Sequence, residues 1–159
     1  MKALILMLCF TASVWHGKRE MLTREAERLE AVFAKFSVMP ADPAEGVSIP
    51  IETFEDGSVK LEVRAERGKF FLKEGLIYAE GVVIVKFGED REEVSRIEAE
   101  RCIIDRTTKS GWVEGPAKIT QGKTVFSGRN MYFSSEEGYV ASMKDSEIFS
   151  TDMKIGGAL

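Results

Sequence analysis

Two stretches of this chain repeat each other thirty-four residues apart. Ala65-Glu66-Arg67 is followed by Tyr78-Ala79-Glu80-Gly81-Val82-Val83-Ile84-Val85, and the skeleton returns as Ala99-Glu100-Arg101 followed by Trp112-Val113-Glu114-Gly115-Pro116-Ala117-Lys118-Ile119. A fainter third copy starts at Ser127-Gly128-Arg129 and runs through Tyr139-Val140-Ala141-Ser142-Met143. Self-similarity at this period marks one supersecondary unit stacked on itself, because a single unit cannot bury its own apolar face. Whatever the chain does has to suit a stack with one shared interior.

The unit is made of strands. β-branched and aromatic residues dominate each period (Phe70, Phe71, Ile77, Tyr78; Ile97, Ile103, Ile104, Trp112; Val125, Met131, Tyr132, Phe133), and turn residues interrupt short apolar runs. Val59, Leu61 and Val63 alternate with Lys60, Glu62 and Arg64, the pattern of a strand with one wet face. Lys73-Glu74-Gly75, Thr107 to Gly111 and Ser134 to Gly138 are turns at corresponding places in the copies. Each copy reads as strand, turn, strand, so the chain is all-β from Ile51 onward. The repeated Glu80-Gly81 and Glu114-Gly115 mark a bend or a close backbone approach at equivalent points of the stack.

The first fifty residues differ in kind. Lys2 precedes an apolar stretch, Ala3 to Phe10, that tails off through Thr11-Ala12-Ser13. A basic start, a short apolar segment and small residues describe a secretory signal peptide, with an uncleaved short membrane anchor as the alternative. A span needs roughly 20 apolar residues, more than are present. Cys9 does not suit lipoprotein attachment, since Leu8 before it is not small. Met21, Leu22, Ala26, Leu29, Val32, Phe33 and Phe36 then fall at helical spacing opposite Arg24, Glu27, Arg28, Glu30 and Lys35. This amphipathic helix either caps an open end of the β core or docks on a partner or membrane surface. Pro40-Ala41-Asp42-Pro43 through Gly46 has the composition of a linker. The division is therefore 1–16 signal peptide or short anchor, 17–39 helix, 40–50 linker, 51–150 β domain and 151–159 tail.

Composition narrows the function. The net charge of −4 gives no electrostatic case for nucleic acid. With Cys9 in the leader, Cys102 is left without an internal disulfide partner and reads as a small buried hydrophobe. The single histidine, His16, adjoins the leader, which removes His-based triads and most zinc sites. Of Glu66, Glu80, Glu98, Glu100, Asp105 and Glu114, many fall on wet strand positions beside lysines and arginines, where a paired acid and base are not indicated. No helix follows Gly115, Gly122 or Gly128, so they form no phosphate loop. The expectation is a protein without catalytic activity, metal or cofactor.

Strand-turn-strand units that open on Ala-Glu-Arg and close on Gly-Val, after a leading Asp-Gly strand, resemble the OstA-like superfamily, the periplasmic LptA/LptC proteins of lipopolysaccharide export. The matching residues are Glu55-Asp56-Gly57-Ser58-Val59-Lys60-Leu61, Ala65-Glu66-Arg67, Gly81-Val82 and Ala99-Glu100-Arg101, and the resemblance spans 51–150. One leading strand and about three units on a short exported chain look more like LptC than LptA. Pro116 stands where the second Gly-Val would have its Val, so that strand starts late or is locally unpaired. The resemblance implies a folded-over β-taco, or half jelly roll, whose apolar interior holds lipopolysaccharide acyl chains. Burying them is worth about 0.8 kcal/mol per methylene. It also implies terminal strands that pair with neighbouring export proteins and an inner-membrane ABC transporter, or with a second copy in a homo-oligomer.

Val63, Phe70, Ile84, Ile97, Ile104, Ile119, Tyr132 and Ile148 are the candidate lipid-lining residues, with Phe70, Ile104 and Tyr132 at equivalent positions of the three copies. The opposing view is an exported structural or surface β-solenoid, a scaffold that binds no lipid and whose same residues fill a closed core. Either terminal strand, Ser58 to Arg64 or Tyr139 to Ser150, could serve as the pairing edge.

Overall fold

A computed structural model of the chain describes residues 15–134, 139–141 and 144–150, with side chains over 24–134. Helix α1 (Trp15–Ser37) precedes eight strands: β1 (Ala44–Thr53), β2 (Val59–Phe71), β3 (Leu76–Phe87), β4 (Glu93–Asp105), β5 (Ser110–Gln121), β6 (Thr124–Ser134), β7 (Tyr139–Ala141) and β8 (Lys144–Ser150). They form one antiparallel meander in chain order, with β7 and β8 both laid along β6. β7 and β8 meet β6 in nearly the same register, Tyr139 opposite Ser134 and Ser150 opposite Thr124. The segment at 40–50, read as a linker from its prolines, instead carries most of β1. Its Pro50 is tolerated because β1 is an edge. The leader within 1–14 and the tail 151–159 lie outside the described residues.

A single row of backbone irregularities crosses the whole sheet. Gly46 lies between the pairs Glu45–Arg67 and Val47–Ala65, which sets it across from Glu66. Gly81 lies across from Glu66 on the other side, between Arg67–Glu80 and Ala65–Val82, and Glu100 follows across from Gly81. Gly115 and Asn130 continue the row, and the Gly115 N–H donates to Asn130 Oδ1 at 2.8 Å. Gly46, Gly81, Gly115 and Asn130 all have left-handed φ, at 61°, 62°, 81° and 55°. At this row β1, β2, β3, β4 and β6 each turn two successive residues outward, as Glu66-Arg67 between buried Ala65 and Gly68, so the inward parity reverses. In β5 the interruption is three residues long and contains the exposed Pro116, with register shifts against both neighbours. The row is a crease. It explains the repeated motif, since Ala-Glu-Gly and Ala-Glu-Arg are the sequence of its outer ridge.

The register also sets Glu45, Arg67, Glu80, Arg101 and Glu114 directly opposite one another on successive strands. Alternating charge across neighbouring strands supports this pairing and penalises a slip.

Folding along the crease makes two arms. The helix-backed arm (Gly68–Phe71, Leu76–Ala79, Cys102–Asp105, Ser110–Val113 and Met131–Ser134) is buried on both faces, which is why its strands read as continuous apolar runs. Its outer residues Phe71, Leu76, Tyr78, Ile103, Trp112 and Tyr132 pack against Ala26, Leu29, Phe33 and Phe36 of α1. The free arm keeps a wet outer face along β2, where the alternation seen at Leu61, Glu62, Val63 and Arg64 holds, whereas Val85 on the same face of β3 is buried. α1 thus lies flat on the sheet and does not plug an end of the core.

Candidate functional site

The inner faces of the two arms enclose one apolar cluster, with Leu61, Val63, Val82, Ile84, Ile97, Ile119 and Phe126 from the free arm and Ile77, Cys102, Ile104, Val113, Met131 and Phe133 from the helix-backed arm. Five of the candidate lining residues, Val63, Ile84, Ile97, Ile104 and Ile119, are in it, and Phe70 packs against it half-buried. Ile148 stands opposite Phe126 in β8, with its side chain outside the described residues. Tyr132 is a correction: it faces the other way, into the cluster beneath α1. The register row through Phe70, Ile77, Ile104 and Gly111 ends on Phe133. A shift of one residue reverses the face, and in a run that is apolar on both sides nothing in the sequence reveals the slip. Gly111 has a reason in the same row. A side chain there would meet the Phe133 ring at 2.4 Å and the Ile103 carbonyl at 2.9 Å, so the ring covers a glycine.

The middle of the interior is filled by its own side chains, with Val63, Ile84 and Ile104 each 1% exposed. The β1 end differs. Ala44, Ile49, Ile51 and Phe70 are only partly buried against the same cluster, because among the described residues β1 is an edge strand and β2 extends beyond Gly68 with no β1 residue to pair with. The cleft therefore has one end with apolar groups within reach of solvent. Cys102, wholly buried in the interior, has its thiol pushed up to about 12 by loss of hydration and is held as a neutral hydrophobe.

The helix-backed wall is fixed from outside. Lys69 Nζ donates to the carbonyls of Ser37 and Met39 at 2.8 and 2.9 Å, capping the last turn of α1, and lies 4.7 Å from the Tyr78 ring centre. Arg28 bridges Glu25 and the buried Asp105. Asp105 also accepts from the Thr107 and Thr108 N–H groups, so one carboxylate orders the β4–β5 turn and ties it to the helix. On the wet face of the free arm, Ser48 and then Arg64 hold the Glu62 carboxyl below its usual range. A shallow depression of about 530 Å³ lies outside the cleft, lined by Asp56, Ser58, Val59, Glu62, Phe87 and Arg91 among others. Among the described residues no group of three His, Cys, Asp or Glu could hold a metal ion, and no helix is long and apolar enough to cross a membrane.

Among the described residues the sheet does not close on itself, since β1 pairs with β2 alone, and β7 and β8 pair with β6 alone. The expected edge at Ser58 to Arg64 is thus an inner strand, flanked by β1 and β3, and β1 is the true N-terminal edge. The C-terminal edge, Tyr139 to Ser150, is where it was expected.

A creased, open antiparallel sheet with an apolar cleft and two unpaired edges defines the β-taco class. Within it, the chain belongs to the lipopolysaccharide-assembly, LptC-related family, whose model matches residues 47–141. That match begins inside β1 and ends with β7. The fold is similar to the crystal structure of LptH from Pseudomonas aeruginosa, described as the LptA-homologous periplasmic component of a conserved lipopolysaccharide transport device. The TM-score is 0.51 and the identity 9%, over 70% of this chain and 94% of that one. No curated protein matches the chain.

Proposed function

We propose that this protein is a periplasmic lipopolysaccharide-binding component of the lipopolysaccharide export bridge. It carries acyl chains between its two arms and joins its neighbours through edge strands. The observation that carries the reading is the family match over 47–141, which coincides with the creased, open-edged sheet. Such a component needs no covalent chemistry. It needs an apolar path, which the inner faces supply, and backbone groups at both ends for strand addition. Val63, Phe70, Ile84, Ile97, Ile104, Ile119 and Ile148 are the lining residues in this reading, and Phe133 takes the place of Tyr132. The partners are other OstA-like export proteins and an inner-membrane ABC transporter, and the N-terminal leader exports the chain or anchors it.

One observation favours the second reading, an exported scaffold without a lipid ligand: the centre of the interior is already packed by its own side chains. Carriage then requires the arms to part, starting from the half-open β1 end. Site-specific photocrosslinking during lipopolysaccharide export separates the two. Labels at Ile49, Phe70 and Ile104 are expected to capture lipopolysaccharide, and labels at Arg64 and Lys118 on the wet face are not. Equal capture from both faces, or none from the inner face, would sink the carrier reading.

A further inference from the structure

Edge strand β1 carries two irregularities in succession, with its register against β2 shifting between Pro50 and Glu52 and again between Glu52 and Thr53. The first sets Glu52 opposite Leu61, a residue of the inner cluster. Bulges re-aim side chains in this way, and this one turns a carboxylate to the rim of an apolar cleft. Glu52 Oε1 lies 3.5 Å from Lys60 Nζ, on the same arm, and 3.7 Å from Lys109 Nζ, in the β4–β5 turn at the tip of the opposite arm. The second contact spans the mouth. Lys109 holds a left-handed backbone, φ 53°, which a non-glycine residue adopts at a cost. The half-buried Ala44, Ile49, Ile51 and Phe70 belong to this same end of the cleft.

We propose that this corner is a headgroup site. Lys60 and Lys109 bind the phosphate of a phosphorylated lipid whose acyl chains enter beside Ile49, Ile51 and Phe70, and Glu52 holds the phosphate's place until lipid arrives. Both ammonium groups point at one carboxylate oxygen from 3.5 and 3.7 Å, longer than the ~2.7–2.9 Å of a well-made N–H···O bond to an anion. They stand at most the sum of those distances apart, about 7 Å, a gap that the several oxygens of one phosphate bridge with shorter bonds. Lysine serves as a point charge for phosphate. The Glu52 side chain is 15% exposed against 35% and 32% for the two lysines, so the cations keep a side open to an incoming anion. A phosphate held by both lysines replaces this contact between the arms with another, so the headgroup is bound across the mouth of the cleft. The inference rests on the carrier reading above and adds to it where the lipid enters and what recognises its head.

The test titrates the full-length protein in a non-ionic detergent with bisphosphoryl lipid A and with the same lipid A stripped of phosphate. The wild type is expected to prefer the bisphosphoryl form by about tenfold, the scale of one or two charge-assisted contacts. Lys60→Gln with Lys109→Gln should abolish that preference, and Lys109→Arg should keep it. Glu52→Gln should strengthen binding of the bisphosphoryl form and leave the stripped form unchanged, with circular dichroism confirming that each variant is folded. A preference unchanged in the double variant, or an equal effect of Glu52→Gln on both lipids, overturns the headgroup site. Inorganic phosphate that binds alone in a manner dependent on Lys60 and Lys109 marks a free-anion site and overturns the lipid assignment. Equal binding of both lipids by the wild type removes the headgroup site and leaves carriage standing, whereas binding of neither brings down the carrier reading and this inference with it.

Discussion

At the scale of single residues, the crease glycines do the work that a repeat motif would otherwise leave unexplained. Gly81 combines φ 62° with a position where a side chain would meet the Glu66 carboxyl group at 2.7 Å, whereas Gly115 has φ 81° and open space around it. Left-handed backbone costs a residue with a side chain about 1–2 kcal/mol, so Gly115→Ala should lose about that much in urea unfolding. Gly81→Ala should lose more, because the Glu66 side chain must also move. Glu66→Ala, combined with Gly81→Ala, should return the excess and leave the backbone penalty. A double variant no more stable than additivity predicts would show that the contact is irrelevant. The Glu-Gly pairs were visible in the sequence as bends. The copy at Ala44-Glu45-Gly46-Val47, which matches Ala79-Glu80-Gly81-Val82, was hidden among prolines whose composition suggested a linker.

At the scale of elements, α1 is part of the wall. Arg28, Lys69 and the aromatic pairs Phe33–Tyr78 and Phe36–Phe71, with ring centres 5.7 and 4.8 Å apart, fix it to the outer face of the helix-backed arm. Leu29 is 0% exposed in that contact and Val38, just past the helix, is 81% exposed. Leu29→Ala should cost about 2–5 kcal/mol, read as a fall in the urea midpoint, and Val38→Ala should stay within about 0.5 kcal/mol of wild type. A near-neutral Leu29→Ala would mean that the helix is only loosely docked. Helical spacing identified the apolar stripe correctly, but not what it would meet. The stripe is equally suited to an end of the core, a partner or a sheet face, and the choice depends on which strand residues are left uncovered once the sheet has folded.

At the scale of the whole molecule, the open edges decide whether the fold can join a chain of like domains. The C-terminal edge lies on β6 through pairs such as Ser127–Glu147 and Phe126–Ile148. Successive N–H groups of a strand point to opposite sides, so one of Ser146 and Glu147 donates toward β6 and the other outward. Ser146→Pro and Glu147→Pro should therefore behave unequally. Under the function proposed above, one should destabilise the domain, and the other should leave it folded while abolishing assembly with an export protein in a pull-down. If the folded variant assembles normally, joining through this edge is excluded.

The sequence by itself determined the class of fold. The thirty-four-residue repeat, the β-branched runs and the Glu-Gly bends are local signals, and each acts through backbone preference or side-chain periodicity within one strand or one turn. They placed Val63, Ile84, Ile97, Ile104 and Ile119 on one shared face. Only the tertiary structure decided that Phe133 and not Tyr132 completes the row, that β1 is the edge, and that Glu52 meets Lys109 across the mouth. Each of these depends on register and bulges between strands, or on the packing of one arm against the other. Where both faces of a strand are buried, apolar composition is the same on each side, and only the partner that covers a face distinguishes it.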